Sequence, residues 1–425
     1  MEKRWPTWPL ISPARRSEGL SRGTVNAPLR WYLTSTACYL MPGGIQGVLF
    51  PWLVAVYLHE TPERVGLAQM ASQLPMLLLI LWGGLVGDRV DQRRFLILLQ
   101  LGMMVPPLVM AGFIGNGIIS YELVIGWAII GGSFGAFAQP TRDALLNRVA
   151  GAEIQKVVTL SIGVQFGIQI FGFAFGSTAD RVGAPVLLVV MALFMLAAAL
   201  ATSRIPPLPA IAQTPRRHPL RDIGDGLVMA WRSNVIRPAI LLTFAIGVFF
   251  AGTYMVILPL MVRDLYAGSA GGIAAVFAAN MLGTCTTIVW LIRRGGMERP
   301  GRAMLINAFI SCGVLSLLNL ELPQWLFYLV VYLWGLGGGI SMTMSRAIVQ
   351  EAAPDTHRAR IMSVYSLGMM GGMPIGSLLL GWCVGQVGAR DAVLVPVAGM
   401  ALVASLLLVS SGLWKVRRQV AEVTG

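Results

Sequence analysis

Charge is what this chain has least of. Only 12% of its 425 residues are Asp, Glu, Lys or Arg, against 56% hydrophobic ones, and the mean hydropathy is +0.71. That balance excludes a soluble globular protein. All 19 acids fall in tails, loops or the ends of apolar runs, and the three histidines, His59, His218 and His357, lie outside the runs as well. No carboxylate or imidazole therefore announces itself as a proton carrier in mid-membrane, and the clustered nucleophiles of an intramembrane enzyme are missing. The chain is not expected to be an enzyme.

Cysteine is scarce too. Cys38, Cys285, Cys312 and Cys383 all sit inside apolar runs without metal-like spacing, so neither a disulfide framework nor a metal site is implied. The nucleotide-binding pattern Gly-x-x-x-x-Gly-Lys-Ser/Thr is absent, which removes ATP as a direct energy source, and no cofactor is called for. Residues 1–30 carry Lys3, Arg4, Arg15, Arg16, Arg22 and Arg30 among prolines but no apolar core of a signal peptide, and read as a cytoplasmic tail. A membrane sensor without transport activity is the reading from another class; it would need a soluble output domain, and no polar stretch is long enough.

What the chain has is apolar runs. A helix needs about 20 such residues to cross a bilayer, because lipid cannot satisfy exposed backbone N–H and C=O groups. Spans are expected near 31–58, 65–86, 95–115, 121–139, 157–179 and 184–203, and again near 239–262, 271–292, 303–320, 325–346, 361–386 and 391–413. The runs are continuous and lack the alternation of a barrel strand. The expected fold is all-α, with twelve transmembrane helices in two six-helix halves, 31–203 and 239–413. A proline-rich basic linker, 204–238, joins them, with an amphipathic run from Ile223 to Trp231 suited to a membrane surface. The cytoplasmic C-terminal tail is 414–425.

Loop charge orients this arrangement. Of the 32 Lys and Arg residues, only Arg64, Arg181, Arg263 and Arg390 fall on one side of the twelve spans, and the remaining 28 fall on the other. Dropping one helix would swap every later loop, so the asymmetry supports both the span list and two cytoplasmic termini. The same scatter of small basic clusters accounts for the net charge of +13 without a nucleic-acid partner.

Three landmarks recur in order. The loop Gly84-Leu-Val-Gly-Asp88-Arg89-Val-Asp91-Gln-Arg93-Arg94 is answered 210 positions later by Glu298-Arg299-Pro-Gly301-Arg302. Arg142-Asp143 is answered 204 positions on by Arg346, with Glu351 beyond it, and Gly172-x-x-x-Gly176-Ser by Gly372-Met-Pro374-Ile-Gly376-Ser at 200. Two halves related by a parallel repeat explain all three.

These motifs resemble the major facilitator superfamily, and within it the drug and siderophore exporters related to the enterobactin exporter. The family's loop between helices 2 and 3, Gly-x-Leu-x-Asp-Arg-x-Gly-Arg-Arg/Lys, is matched by Gly84, Asp88, Arg89, Arg93 and Arg94, although Asp91 stands where the family most often has glycine. In the second copy Arg294 replaces the leading glycine. The antiporter signature Gly-Pro-x-x-Gly-Gly of helix 5 is reduced here to Gly172-Phe173-Ala-Phe-Gly176-Ser177. The resemblance implies a monomeric, multi-pass transporter of the bacterial inner membrane that exports a small amphiphilic molecule, a siderophore or drug, by alternating access coupled to proton entry. Import or facilitated passage of a metabolite is the alternative. The resemblance also makes Asp88 and Arg89, with Arg93, Arg94, Glu298, Arg299, Gly301 and Arg302, a conformational latch; plain topology signalling is the competing reading.

Arg142 with Asp143 and Arg346 with Glu351, at the basic ends of their spans, are either cross-half ion pairs or solvated helix ends. Glycines are frequent in the spans, and close packing and rocking would both select them. Polar side chains in mid-membrane are costly unless they face a cavity or a neighbouring helix. Candidates for a substrate cavity are Tyr39, Gln46, Gln69, Gln73, Gln165 and Gln169 in the first half. In the second half they are Thr253, Tyr254, Asn280 and Tyr365. Trp127, Trp290, Trp325 and Trp334 are expected in the interfacial aromatic belt.

Overall fold

A computed structural model describes residues 27–150, 154–207, 219–354 and 357–416. The chain is all-helical there. We number the long helices α1 (Ala27–Tyr57), α2 (Pro62–Arg89), α3 (Gln92–Gly115), α4 (Tyr121–Ala150), α5 (Ile154–Gly176) and α6 (Ala184–Ser203). The linker contains α7 (Pro219–Arg232). After it come α8 (Ile236–Leu265), α9 (Ala270–Arg294), α10 (Pro300–Ser316), α11 (Gln324–Ala352), α12 (Arg358–Asp391) and α13 (Leu394–Ser410). Among the described residues, ten helices are long and apolar enough to cross a membrane. Helix α5 has 23 residues and α13 is a shorter apolar helix of 17; they occupy the places expected for the fifth and twelfth spans.

The boundaries follow local chemistry. Thr61 precedes α2 in extended conformation with Pro62 in the first turn, where a missing N–H costs nothing. Asp91 caps α3, its carboxylate accepting from the N–H groups of Arg93 (3.0 Å) and Arg94 (3.2 Å). Ser269 caps α9 through the Gly272 N–H, and Gly295, in the left-handed conformation at φ 75°, ends it. Several helices run past the expected spans: α4 continues to Ala150 and α12 begins at Arg358, so the basic loops are shorter than hydropathy alone suggests.

Within each half the first helix is clamped by the fifth. A Cβ on Gly172 would lie 2.6 Å from the Gly44 Cα, and one on Gly372 would lie 3.0 Å from the Gly247 carbonyl carbon. Backbones this close tolerate only glycine, so Gly172, Gly176, Gly372 and Gly376 serve α1–α5 and α8–α12 crossings. Helices α2 and α4 meet through Gly83 and Gly132, and α9 and α11 through Gly283 and Gly335. The four cysteines are free, with Cys312 and Cys383 buried.

We call the end carrying the loops 89–92, 150–154, 294–300 and 352–358 the basic end, and the other the opposite end. The halves meet at the opposite end. Gly66 of α2 abuts Gly381 of α12, and Gln73 of α2 donates to Ser377 of α12 at 3.4 Å. Among the described residues, the main packing of α4 and α11 is within their own halves.

Candidate functional site

The opposite end is shut by contacts that cross between the halves. Phe173 of α5 meets Phe277 of α9 with ring centres 5.9 Å apart, and Tyr254 of α8 stacks on the same Phe277 at 4.4 Å. Phe173 and Phe277 are almost wholly buried, so these rings form an apolar plug. Outside the plug lie polar fasteners. Asp180, in the single turn Ala179–Val182, accepts from the Trp52 indole N–H at 2.8 Å with one oxygen. With the other it accepts from the Ala270 N–H at 2.7 Å, at the start of α9 in the other half. A carboxylate at that helix start is doubly favoured, by the hydrogen bond and by the helix dipole. Arg263, held by its neighbour Asp264, donates across the halves to the Glu60 carbonyl at 2.7 Å.

At mid-depth in the N-terminal half lies a recess, a cavity of about 130 Å³ among α1, α3, α4 and α6. Tyr39 and Gln46 provide its polar lining, Trp127 and Gly131 another wall, and Met103, Met191 and Met195 a soft apolar back. A Cβ on Gly43 or Gly131 would touch nothing within 4 Å, so both glycines leave room instead of closing a helix contact. Next to Tyr39 stands Arg142, its guanidinium carbon 5.0 Å from the ring centre. Its Nη1 is buried and has no hydrogen-bond partner. Tyr32 donates to the Arg142 carbonyl at 3.2 Å and steadies that part of α4.

The other candidates scatter. Gln69 is buried in α2 and its carbonyl accepts from Ser72 and Gln73, while Gln73 leaves its own Oε1 buried and unpartnered. Gln165 is exposed and Gln169 half-buried on α5, where the Gln169 carbonyl touches Gly44. Thr253 is buried and donates to the Phe249 carbonyl; Asn280 is half-buried and its carbonyl packs on Gly335. Tyr365 is committed to Ser345 at 2.7 Å, joining α12 to α11. Of the ten, Tyr39 and Gln46 share one cavity.

Two tryptophans depart from the aromatic-belt expectation. Trp127 and Trp334 are buried, each beside a phenylalanine of its half's first helix: Phe50 at 6.1 Å and Phe250 at 5.7 Å. Trp290 and Trp325 are exposed on the surface, as a belt requires.

The basic-end motif is placed as follows. Asp88 and Arg89 close α2, and their side chains lie outside the described residues. Gly84 has open space around it. Arg93 donates to the Ser203 carbonyl at the end of α6 at 2.5 Å, Gln92 links the Gly87 carbonyl to Arg148, and Arg94 stays 3.6 Å from Asp91. These bonds tie α2, α3, α4 and α6 of one half together. In the second copy Gly301 abuts the Leu413 carbonyl, and Arg302 lies 4.8 Å from the Trp414 ring centre, while Glu298 and Arg299 are exposed. Asp143, Arg346 and Glu351 are exposed as well.

No curated protein sequence matches the chain significantly. Solved structures match along almost the whole length. The nucleoside transporter NupG superposes with a TM-score of 0.72 at 13% identity, covering 90% of this chain and 98% of that one. An auto-inhibited POT family peptide transporter gives 0.70 at 13% identity, with 94% and 99% covered. A bacterial homolog of the human lysosomal transporter Spinster, in an inward-facing and unoccupied conformation, gives 0.66 at 10%, with 92% and 97% covered. Identities this low show a shared fold. The sequence model of the Major Facilitator Superfamily matches residues 32–377, which is most of the chain: the N-terminal half and the C-terminal half as far as Ser377 in α12. By that match and by its two-half helical fold, the chain belongs to the major facilitator superfamily.

Proposed function

We propose that this membrane transporter exports a small amphiphilic molecule, a siderophore or drug, across the bacterial inner membrane by alternating access. The observation that carries the proposal is the uneven meeting of the halves. The plug of Phe173, Phe277 and Tyr254 and the Asp180 bridge close the opposite end, while the main packing of α4 and α11 is within their own halves. With the 28 basic loop and tail residues in the cytoplasm, both termini lie there, twelve spans cross the bilayer, and this arrangement is the inward-facing one. Its reversal opens the plug and brings Arg142 and Asp143 toward Arg346 and Glu351. Asp88 and Arg89, with Glu298, Arg299 and Arg302, latch the basic end in that second state. The direction rests on the resemblance of the loop and helix-5 motifs to exporters, and proton entry is the driving force that resemblance supplies.

The deciding experiment is a deletion strain compared with its parent for secreted metabolites and drug susceptibility, complemented by wild type and by Asp88→Asn. Loss of one secreted compound, restored by wild type only, is the expected outcome, with Asp88→Asn present at normal abundance in the membrane. Unchanged secretion with lost uptake would overturn export, and full activity of Asp88→Asn would remove the latch.

A further inference from the structure

The recess in the N-terminal half has a property that sets it apart from ordinary packing: its counterpart is filled. Gln46 follows Gly44 by two residues on α1, and Phe249 follows Gly247 by two on α8, the two glycines being the matching contacts with α5 and α12. In the C-terminal half the Phe249 ring presses on Gly399 of α13, so closely that a Cβ there would clash with it. In the N-terminal half Gln46 leaves the space open, and α1 packs closely on α5 and α6 but only sparingly on α4. A membrane protein gains nothing from an empty volume between packed helices, since dispersion contacts are what hold such helices together.

The chemistry of the lining narrows the occupant. A volume of about 130 Å³ accepts a single aromatic ring, as engineered apolar cavities of about 150 Å³ accept benzene, and is too small for a whole drug-sized ligand. Thioethers from Met103, Met191 and Met195 and the indole of Trp127 are polarizable surfaces that favour an aromatic guest. Arg142 supplies the second half of the recognition. It does not line the recess itself; its side chain leans toward the start of α4, as helical side chains do, and its guanidinium carbon lies 5.0 Å from the ring centre of Tyr39, which does line it. A buried guanidinium nitrogen without a partner, near the basic end of α4, is costly until an anion meets it.

From this we infer that the recess is a subsite for an aromatic oxyanion, its ring in the methionine-lined slot between α1, α3, α4 and α6 and its carboxylate or phenolate on Arg142. This deepens the export reading, by giving the substrate an arylcarboxylate-like or acidic phenolic group, and rests on it only in naming the occupant as cargo. A neutral ring would leave the Arg142 Nη1 without a partner, and a cationic ring would be repelled.

The test is equilibrium binding to purified protein in lipid nanodiscs, read as quenching of tryptophan fluorescence by 4-iodobenzoate, 4-iodobenzamide and 4-iodobenzylamine, with empty nanodiscs as the reference for partitioning. The benzoate is expected to bind at least about tenfold more tightly than the amide, a difference of about 1.4 kcal/mol, and the amine more weakly still. Arg142→Gln should bring the benzoate down to the amide, and Arg142→Lys should restore part of the preference. Gly131→Leu fills the slot and should abolish binding of all three, with Gly43→Leu as the second filling variant and thermal unfolding as the check on folding. Trp127→Phe should remove most of the quenching while a competition assay still detects the ligand. Equal affinity for acid and amide, no saturable binding of any probe, or binding unchanged in folded Gly131→Leu and Gly43→Leu would each overturn the subsite. Because binding requires no transport, failure here with secretion intact leaves export standing, and lost export with binding intact does the reverse.

Discussion

The two halves repeat one framework and differ in what they leave open. In both, the first helix crosses the fifth at glycine (Gly44 with Gly172, Gly247 with Gly372), and a phenylalanine of the first helix meets a tryptophan of the fourth. In both, the first helix widens into a π-helical turn at matching places, Trp52–Tyr57 and Thr253–Ile257, a local loosening that often accompanies function. The interiors diverge. The N-terminal half ties α1, α3 and α6 with a buried network in which Ser35 and Thr202 lie 2.6 Å apart and both engage Gln100. The C-terminal half uses Asn307, which donates to the Gly337 carbonyl and to Ser341, joining α10 to α11. One half has a cavity and the other Phe249. A repeat therefore preserves helix crossings, where backbones touch, and releases side-chain packing for specialisation.

The sharpest way to break this comparison is at the crossings. Gly172→Leu and Gly372→Leu should each cost about 3 kcal/mol, the upper end of the usual overpacking range, since the new side chain meets backbone that cannot yield. Both should lose folded protein by size-exclusion chromatography, and tolerance of one alone would end the equivalence.

Next in size is the filled slot. Phe249→Ala should destabilise by about 2 to 3 kcal/mol, below the value for a fully buried ring because Phe249 is only half-buried. The reverse change, Gln46→Phe, should raise the melting temperature while lowering transport. A rise in both would mean the N-terminal recess is not used.

The buried networks come third. Gln100→Leu and Asn307→Leu should each cost about 1 to 2 kcal/mol through the buried hydrogen bonds they remove, seen as parallel falls in melting temperature.

The smallest effect expected is at the cross-half bridge. Asp180→Asn keeps an acceptor but loses the charge at the start of α9, worth about 1 kcal/mol at most. A single cysteine placed at Ala267 should then react up to about fivefold faster with an impermeant maleimide, as the opposite end opens more often. An unchanged rate would show that the aromatic plug alone holds it.

Much of this architecture was legible from residues alone. The apolar runs coincide with the long helices, and the landmarks at 172 and 372 fall on equivalent crossings. The variant residue Asp91 gave no warning of its role; in space it is the cap of α3. The buried position of Trp127 was hidden because it lies near the start of its span, where an interfacial aromatic is the ordinary expectation; Trp334, ten residues into α11, sits too deep for a belt. The cross-half role of Asp180 had no signal beyond a charge in a short loop.

By itself the sequence determined which segments form the long apolar helices, their order and their duplication. The bilayer makes those demands on each segment separately: a continuous apolar length, satisfied backbone groups, and charges left in the loops. Only the tertiary structure decided which face of each helix looks inward. These helices are apolar nearly all round, so no periodicity records their rotation. That rotation separates Gly132, wedged against the Ser72 carbonyl, from its neighbour Gly131, which opens a cavity. It also set Arg142 over Tyr39 and left one guanidinium nitrogen buried without a partner.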